Sequence, residues 1–263
     1  MCEEKLNEIH FEILEKMKEH VEPFISPIWK YEPENEEDIW LHGSASYLES
    51  KGEKFIITNE HVAKENLSYR FTHSFKGSEN MLNVRQPFLS VEFPVDVAIS
   101  KIDEDVWNQY CADGKAIPIE RFSKKHDPVN GELLFFAGFS GKRAVVFLEE
   151  CQGRGTPFLT QECKLPDSVK EADEKFHIAI PYPTELVQTK DTSIPLPDPH
   201  GFSGSLLWNT KFVESMQKEV DWDPSMAEVT AIVWGWPSNA VCIVATKIEH
   251  INLEEMISDY HKL

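Results

Sequence analysis

No uninterrupted apolar run in this chain reaches the roughly 20 residues that a helix needs to cross a bilayer. Basic charge is also scarce: 26 Lys and Arg stand against 45 Asp and Glu, a formal net charge of -19 over 263 residues. The pairs Lys124-Lys125 and Lys142-Arg143 are short and of the kind found on solvated loops. A phosphate backbone is repelled by such a surface, so neither a nucleic-acid nor a membrane partner is expected. The start, Met1-Cys2-Glu3-Glu4-Lys5, lacks the basic and apolar regions of a secretory leader, and the chain is read as cytoplasmic. Cysteine is sparse: Cys2, Cys111, Cys151, Cys163 and Cys242 are odd in number and scattered, which argues against a disulfide framework or a paired metal-ligand set. They read as reduced thiols, with Cys151 and Cys163 able to approach in one loop region. The ten histidines form no His-Glu-x-x-His pattern, and neither internal repeats nor low-complexity tracts are found. No metal or organic cofactor is expected.

What the sequence does contain is a succession of short apolar or alternating runs separated by polar turns. They fall at 39–49, 53–59, 67–73, 87–92, 96–102, 132–138 and 143–149, then at 176–181, 204–208, 227–235 and 240–246. Strands without a helix between each pair predict antiparallel sheets rather than a parallel βαβ sheet. Residues 103–112, around Trp107, are the exception and read as a short helix. Leu6, Ile9, Phe11, Ile13, Leu14, Met17 and Val21 follow a helical stripe ending near Pro23, suited to packing on the body or to docking a regulatory protein. Residues 27–38 read as a linker, with strands beginning near Ile39. Ile248, Ile251, Leu253, Met256 and Ile257 give a second helical spacing at the carboxyl end. Apolar periodicity breaks at Lys124-Lys125-His126-Asp127-Pro128 and restarts at Glu132. The expected organisation is therefore 1–38, 39–125, 126–247 and 248–263, one two-lobed unit of a size that buries a substantial core.

The candidate chemistry lies in Phe55-Ile56-Ile57-Thr58-Asn59-Glu60-His61-Val62, Pro94-Val95-Asp96-Val97-Ala98-Ile99 and Pro199-His200-Gly201-Phe202-Ser203-Gly204-Ser205-Leu206-Leu207. A serine hydroxyl is a poor nucleophile at neutral pH and needs an imidazole to take its proton and a carboxylate to hold that imidazole in one tautomer. Taken singly, each fragment is weak: His61 fits a buried strand end, Asp96 a turn and Ser203 a glycine-rich turn. Order and context give them weight together.

That order and context resemble the chymotrypsin-like (trypsin-like) serine peptidases, especially bacterial trypsin-like peptidase domains related to the HtrA type. Gly43-Ser44-Ala45-Ser46-Tyr47-Leu48 is similar to the strand before the family's histidine, and Thr58-Asn59-Glu60-His61-Val62 to its histidine motif. Asp96-Val97-Ala98-Ile99, Gly138-Phe139-Ser140-Gly141, Gly201-Phe202-Ser203-Gly204-Ser205 and Ala231-Ile232-Val233-Trp234-Gly235-Trp236 resemble further landmarks, so the likeness spans residues 40–250. It implies an all-β fold of two antiparallel β-barrels with an N-terminal and a C-terminal helix and the site in the cleft between barrels. His61, Asp96 and Ser203 would form the triad, with backbone N–H groups of Gly201 and Ser203 as the oxyanion hole. Trp234, Gly235 and Trp236 would pair with an extended substrate. Asp198 would sit beside the primary pocket and favour a basic residue, and His200 would touch substrate. The implied activity is hydrolysis of a protein or peptide in regulated intracellular (stress or defence) proteolysis; the alternative is a catalytically silent two-barrel peptide-binding or scaffold protein. Phe202, Ser205 and Trp234 depart from the family pattern, the last leaving the support of Asp96 open.

Overall fold

The computed structural model describes residues 3–147, 150–183, 196–237 and 240–263. After helix α1 (Glu3–Val21) the chain forms β1 (Ile25–Glu32), β2 (Asn35–Ser50), β3 (Glu53–Thr58), β4 (Arg70–His73), β5 (Leu82–Asn83), β6 (Leu89–Val91), β7 (Val97–Lys101) and β8 (Ile117–Pro118). These make one sheet in the order β5-β4-β1-β2-β3-β7-β6, antiparallel throughout except that β8 joins β2 in parallel. A second, antiparallel sheet holds β9 (Leu134–Phe147), β10 (Glu150–Thr160), β11 (His177–Pro181), β12 (Leu206–Asn209), β13 (Glu228–Gly235) and β14 (Cys242–Lys247), in the order β10-β9-β12-β13-β14-β11. Short helices α2 (Glu60–Ala63), α3 (Glu104–Tyr110) and α4 (Phe212–Gln217) lie in connections, and α5 (Leu253–Tyr260) follows the last strand. The antiparallel, mainly β class expected from the short runs is the one observed.

Two stretches read differently in three dimensions. Residues 27–38 are not a linker, because Ile25–Glu32 is a strand with Ile28 and Trp29 fully buried. Pro27 is tolerated there because β4 pairs with β1 only from Trp29 to Tyr31, so at the proline the strand has β2 alone as neighbour. Pro33 sits in the tight turn closed by the pairing of Glu32 with Asn35. The loop expected from Gly153 onward begins instead as β10, where Phe158 and Leu159 are buried against β9. The runs at 132–138 and 143–149 belong largely to one long strand, β9; Leu148 and Glu149 and the side chain of Cys151 lie outside the described residues.

β-branched and aromatic residues explain the strands: Phe55, Ile56 and Ile57 in β3, Val97 and Ile99 in β7, and Val229, Ile232 and Val233 in β13 are all buried. Between the sheets lies one shared core, to which both terminal helices contribute. Ile13, Leu14, Met17 and Val21 of α1 are buried, with His20 and Phe24 packed at 6.0 Å from Trp208 of β12. From the other end, Tyr260 of α5 packs edge-on against Phe55 of β3 (5.7 Å) and donates from its hydroxyl to the Pro87 carbonyl (2.8 Å). Each terminal helix thus packs on the sheet farther from it in sequence.

Two buried polar groups fix the lobes internally. In the first sheet, burial pushes His73 down to about 3, so it stays neutral beside the Tyr47 hydroxyl at 2.9 Å. In the second, the 3 % exposed Glu132 accepts from the N–H groups of Leu133, Val213 and Glu214 at 2.9, 2.9 and 3.0 Å and from the Thr210 hydroxyl at 3.1 Å. Truncation strands those donors in the interior. Glu132→Ala is expected to lower the unfolding free energy by about 3 kcal/mol and Glu132→Gln by less, read as a shift in the urea midpoint at constant slope.

Candidate active site

β3 delivers its chain into α2, which carries His61 in the first turn with Asn59 extended just before it. The β6–β7 hairpin delivers Asp96, whose backbone is left-handed (φ +53°), a conformation that aspartate tolerates better than most residues. Three contacts hold it. Its carbonyl accepts from the Asn59 side-chain amide (2.7 Å), one carboxylate oxygen accepts from the His61 main-chain N–H (2.9 Å), and the other accepts from His61 Nδ1 (2.7 Å). A carboxylate in that position places the imidazole proton on Nδ1 and leaves Nε2 as the nitrogen able to take another. The Asp96 side chain is 4 % exposed while that of His61 is 37 % exposed, so the acid is enclosed and the base is open to a ligand. Beside them His42 approaches the Val62 carbonyl at 3.1 Å, and burial lowers its pKa.

Ser203 lies in the turn before β12. The turn sits directly on the histidine side of the site: a Cβ on Gly204 would meet the Ser44 carbonyl oxygen at 1.9 Å and Thr58 Oγ1 at 2.4 Å, and one on Gly43 would touch both Val62 and the Ser203 carbonyl. Only glycine fits the approach at position 204. Ser44 of β2 clamps the turn: its N–H donates to the Ser203 carbonyl (2.8 Å) and its hydroxyl to the Gly201 carbonyl (2.7 Å), while that hydroxyl accepts from the Phe139 N–H of β9 (2.9 Å). The His200 carbonyl accepts from the Gly141 N–H at 3.2 Å. Because a trans peptide sets its C=O and N–H on opposite sides, the Gly201 N–H points away from Gly141. Among the described residues neither the Gly201 nor the Ser203 N–H has an acceptor, and both residues are partly exposed. Two unspent amides flank the serine.

The Ser203 hydroxyl donates to the Trp234 carbonyl at 3.2 Å and not to His61. Trp234 does not support Asp96; its ring packs on Phe93 (5.5 Å) and His177 (5.2 Å), and Asn59 and the His61 N–H hold the aspartate instead. Gly235 is partly exposed at the end of β13, and the Trp236 ring lies 5.8 Å from that of His200. The Asp198 carboxylate is taken up by the His200 ring and amide, and its carbonyl accepts from Ser140 Oγ (2.8 Å). His200 itself is 79 % exposed. Phe202 is buried among Phe136 and Tyr182, at 5.3 and 5.7 Å. Residues 184–195 of the preceding loop lie outside the described residues. Asn59 and Ser44 were legible, since each stands inside a motif already singled out. His177 carried no such signal. Among the described residues no group of three or more His, Cys, Asp or Glu is placed to hold a metal ion.

No family model and no curated protein matches this sequence. Among solved structures, the chain is similar to the Rv3671c protease of M. tuberculosis in its active form, at 16 % identity and a TM-score of 0.48, covering 89 % of this chain and 81 % of that one. It is similar also to a chain from a structure concerned with coupled folding and binding of the intrinsically disordered Sesbania mosaic virus VPg protein, at 12 % identity and a TM-score of 0.48, over 88 % and 90 % of the two chains. Similarity this low fixes no function, so the chemistry is read from the site's own geometry.

Proposed function

We propose that the protein is a chymotrypsin-like, two-barrel serine endopeptidase with Ser203 as nucleophile, His61 as general base and Asp96 as the residue that orients it. The observation that carries the reading is the double grip of the buried Asp96 carboxylate on the ring and main chain of His61, beside a serine with two unbonded amides. In this scheme the Ser203 hydroxyl swings from the Trp234 carbonyl to His61 Nε2 and attacks a peptide carbonyl as the imidazole takes its proton. The oxyanion is received by the N–H groups of Gly201 and Ser203. Collapse breaks the C–N bond, His61 returns the proton to the departing amine, and water activated by the same imidazole then hydrolyses the acyl-serine. The strand Trp234-Gly235-Trp236 offers main-chain groups to an extended peptide, with His200 and Asp198 at its edge. Regulated intracellular proteolysis of a protein or peptide substrate, in stress or defence, is the role that goes with it. The direct test is labelling by a fluorophosphonate, expected for the wild type and absent in Ser203→Ala.

One observation favours a second reading. A serine hydroxyl engaged by the Trp234 carbonyl suits a catalytically silent peptide-binding protein with the same cleft. A wild-type chain that binds extended peptides yet resists the fluorophosphonate at every pH supports that reading.

Activation by cleavage near the first strand is not needed here. In zymogen-type relatives a new amino terminus pairs with an aspartate before the nucleophile, but here that position is Phe202, buried among aromatic rings. Cutting before Ile39 would also fall inside β2 and detach β1, the neighbour of both β2 and β4. The uncut chain is expected to be competent, with any switch acting through the segment between Gly153 and Gly201 so that the oxyanion N–H groups point into the cleft. Intact-mass analysis of probe-labelled protein checks this: label confined to chains cut before about residue 39 would restore proteolytic activation.

A further inference from the structure

We propose that His177, on β11 of the second sheet, is a positioning residue for the His61–Asp96 pair, holding the loop that carries the aspartate against the strand behind the nucleophile. The proposal rests on the peptidase reading of that pair. His177 is 2 % exposed and both ring nitrogens are engaged. The Asp173 N–H donates to Nδ1 at 2.9 Å, so Nδ1 is the acceptor and Nε2 carries the proton. Nε2–H then donates across the lobes to the Pro94 carbonyl at 2.8 Å, two residues before Asp96. The same ring stacks on Phe93 (5.5 Å, 28° between planes) and packs on Trp234 (5.2 Å), whose carbonyl holds the Ser203 hydroxyl. One side chain therefore touches the acid loop on one side and the nucleophile's backing strand on the other.

The need for such a tie follows from the backbone. Asp96 sits in the left-handed region and its own N–H reaches Glu92 only at 3.3 Å, so the hairpin alone holds it loosely. On the near side Asn59 and the His61 main chain grip it, all from the first sheet. Among the described residues the Pro94 carbonyl is where a side chain of the second sheet takes hold of this loop by hydrogen bond. Because Ser203 belongs to the second sheet's chain, register between base and nucleophile depends on contacts that cross the lobes.

The test uses the full chain. His177→Phe keeps an aromatic ring between Phe93 and Trp234 but removes both polar nitrogens; His177→Gln keeps one donor and one acceptor. The readouts are the rate of labelling by a fluorophosphonate and the low-field proton resonance of His61 Nδ1–H. We expect His177→Phe to slow labelling by up to about 10²-fold, the scale of a small misplacement of a catalytic group, and to shift or broaden the His61 resonance. His177→Gln should recover most of both. Equal rates and an unmoved resonance in His177→Phe would overturn the proposal, with impairment confined to His177→Gln assigning the effect to ring packing; equal impairment in both variants would overturn it too, because the restored donor and acceptor then rescue nothing. Should His177→Phe not fold, the ring-nitrogen chemical shifts of wild-type His177 decide: an Nε2–H tautomer supports the tie and an Nδ1–H tautomer removes it. Failure of the peptidase reading is separately visible, as a wild type that takes no label while the His61 resonance still answers to His177.

Discussion

Ser203→Ala and His61→Ala are each expected to lower the turnover of a peptide substrate by on the order of 10⁶-fold, and the double variant by little more, because the members of a triad act as a unit. Asp96→Asn should follow at about 10⁴-fold, since an amide at that position presents the wrong partner to Nδ1 and favours the wrong tautomer. The fold should survive the first two changes. Among the described residues the Ser203 hydroxyl makes a single hydrogen bond, to the Trp234 carbonyl, and the His61 main chain keeps its bond to Asp96 whatever the side chain. Hydrolysis of an unfolded protein substrate, measured beside thermal melts of the same preparations, separates loss of chemistry from loss of structure. Wild-type hydrolysis in Ser203→Ala would move the nucleophile elsewhere.

Gly204→Ala is expected to be nearly as damaging by a different route. A Cβ there lies 1.9 Å from the Ser44 carbonyl oxygen, a main-chain atom fixed in β2 by its bond from Thr58, and the backbone is at φ +92°. Neither the added methyl nor the strand can yield without moving the turn. Since the Gly204 N–H also bonds the Val233 carbonyl at 2.9 Å, movement spreads into β13 and displaces the Ser203 N–H. Loss of one oriented oxyanion donor alone is worth 10²- to 10³-fold in rate, roughly, and the left-handed backbone adds about 1–2 kcal/mol of strain. Gly52→Ala is the control: φ is +85°, but nothing lies within 4 Å of the new methyl. It should cost stability of the backbone-strain size and leave labelling untouched.

Those glycines also show which parts of the molecule were legible in the sequence. Gly201, Gly204 and the run from Thr58 to His61 announce themselves because close approach and special backbone geometry restrict the choice of residue locally. The strands were found wherever apolar periodicity is uninterrupted, as in β3, β7, β13 and β14. β1 was misread because Pro27 and Pro33 look like linker residues unless one knows that β4 stops short of the first and that the second occupies a hairpin turn. β10 was missed because Gly153, Gly155 and Pro157 weaken a strand signal that its pairing with β9 makes good. His177 was invisible for a deeper reason: its partners at Asp173, Pro94, Phe93 and Trp234 converge only after both sheets have formed.

The crossed packing of the terminal helices bears on how the molecule comes into being at the ribosome. The aspartate and histidine are synthesised early, but Phe55 and the Pro87 carbonyl, which lie on the same sheet, wait for Tyr260, three residues from the last. Conversely α1 emerges first and finds its seat on Trp208 only after four fifths of the chain has been made, roughly. A nascent chain can therefore seat α1 on the second sheet before α5 exists, whereas Phe55 and the Pro87 carbonyl of the first sheet stay uncovered until α5 has been made.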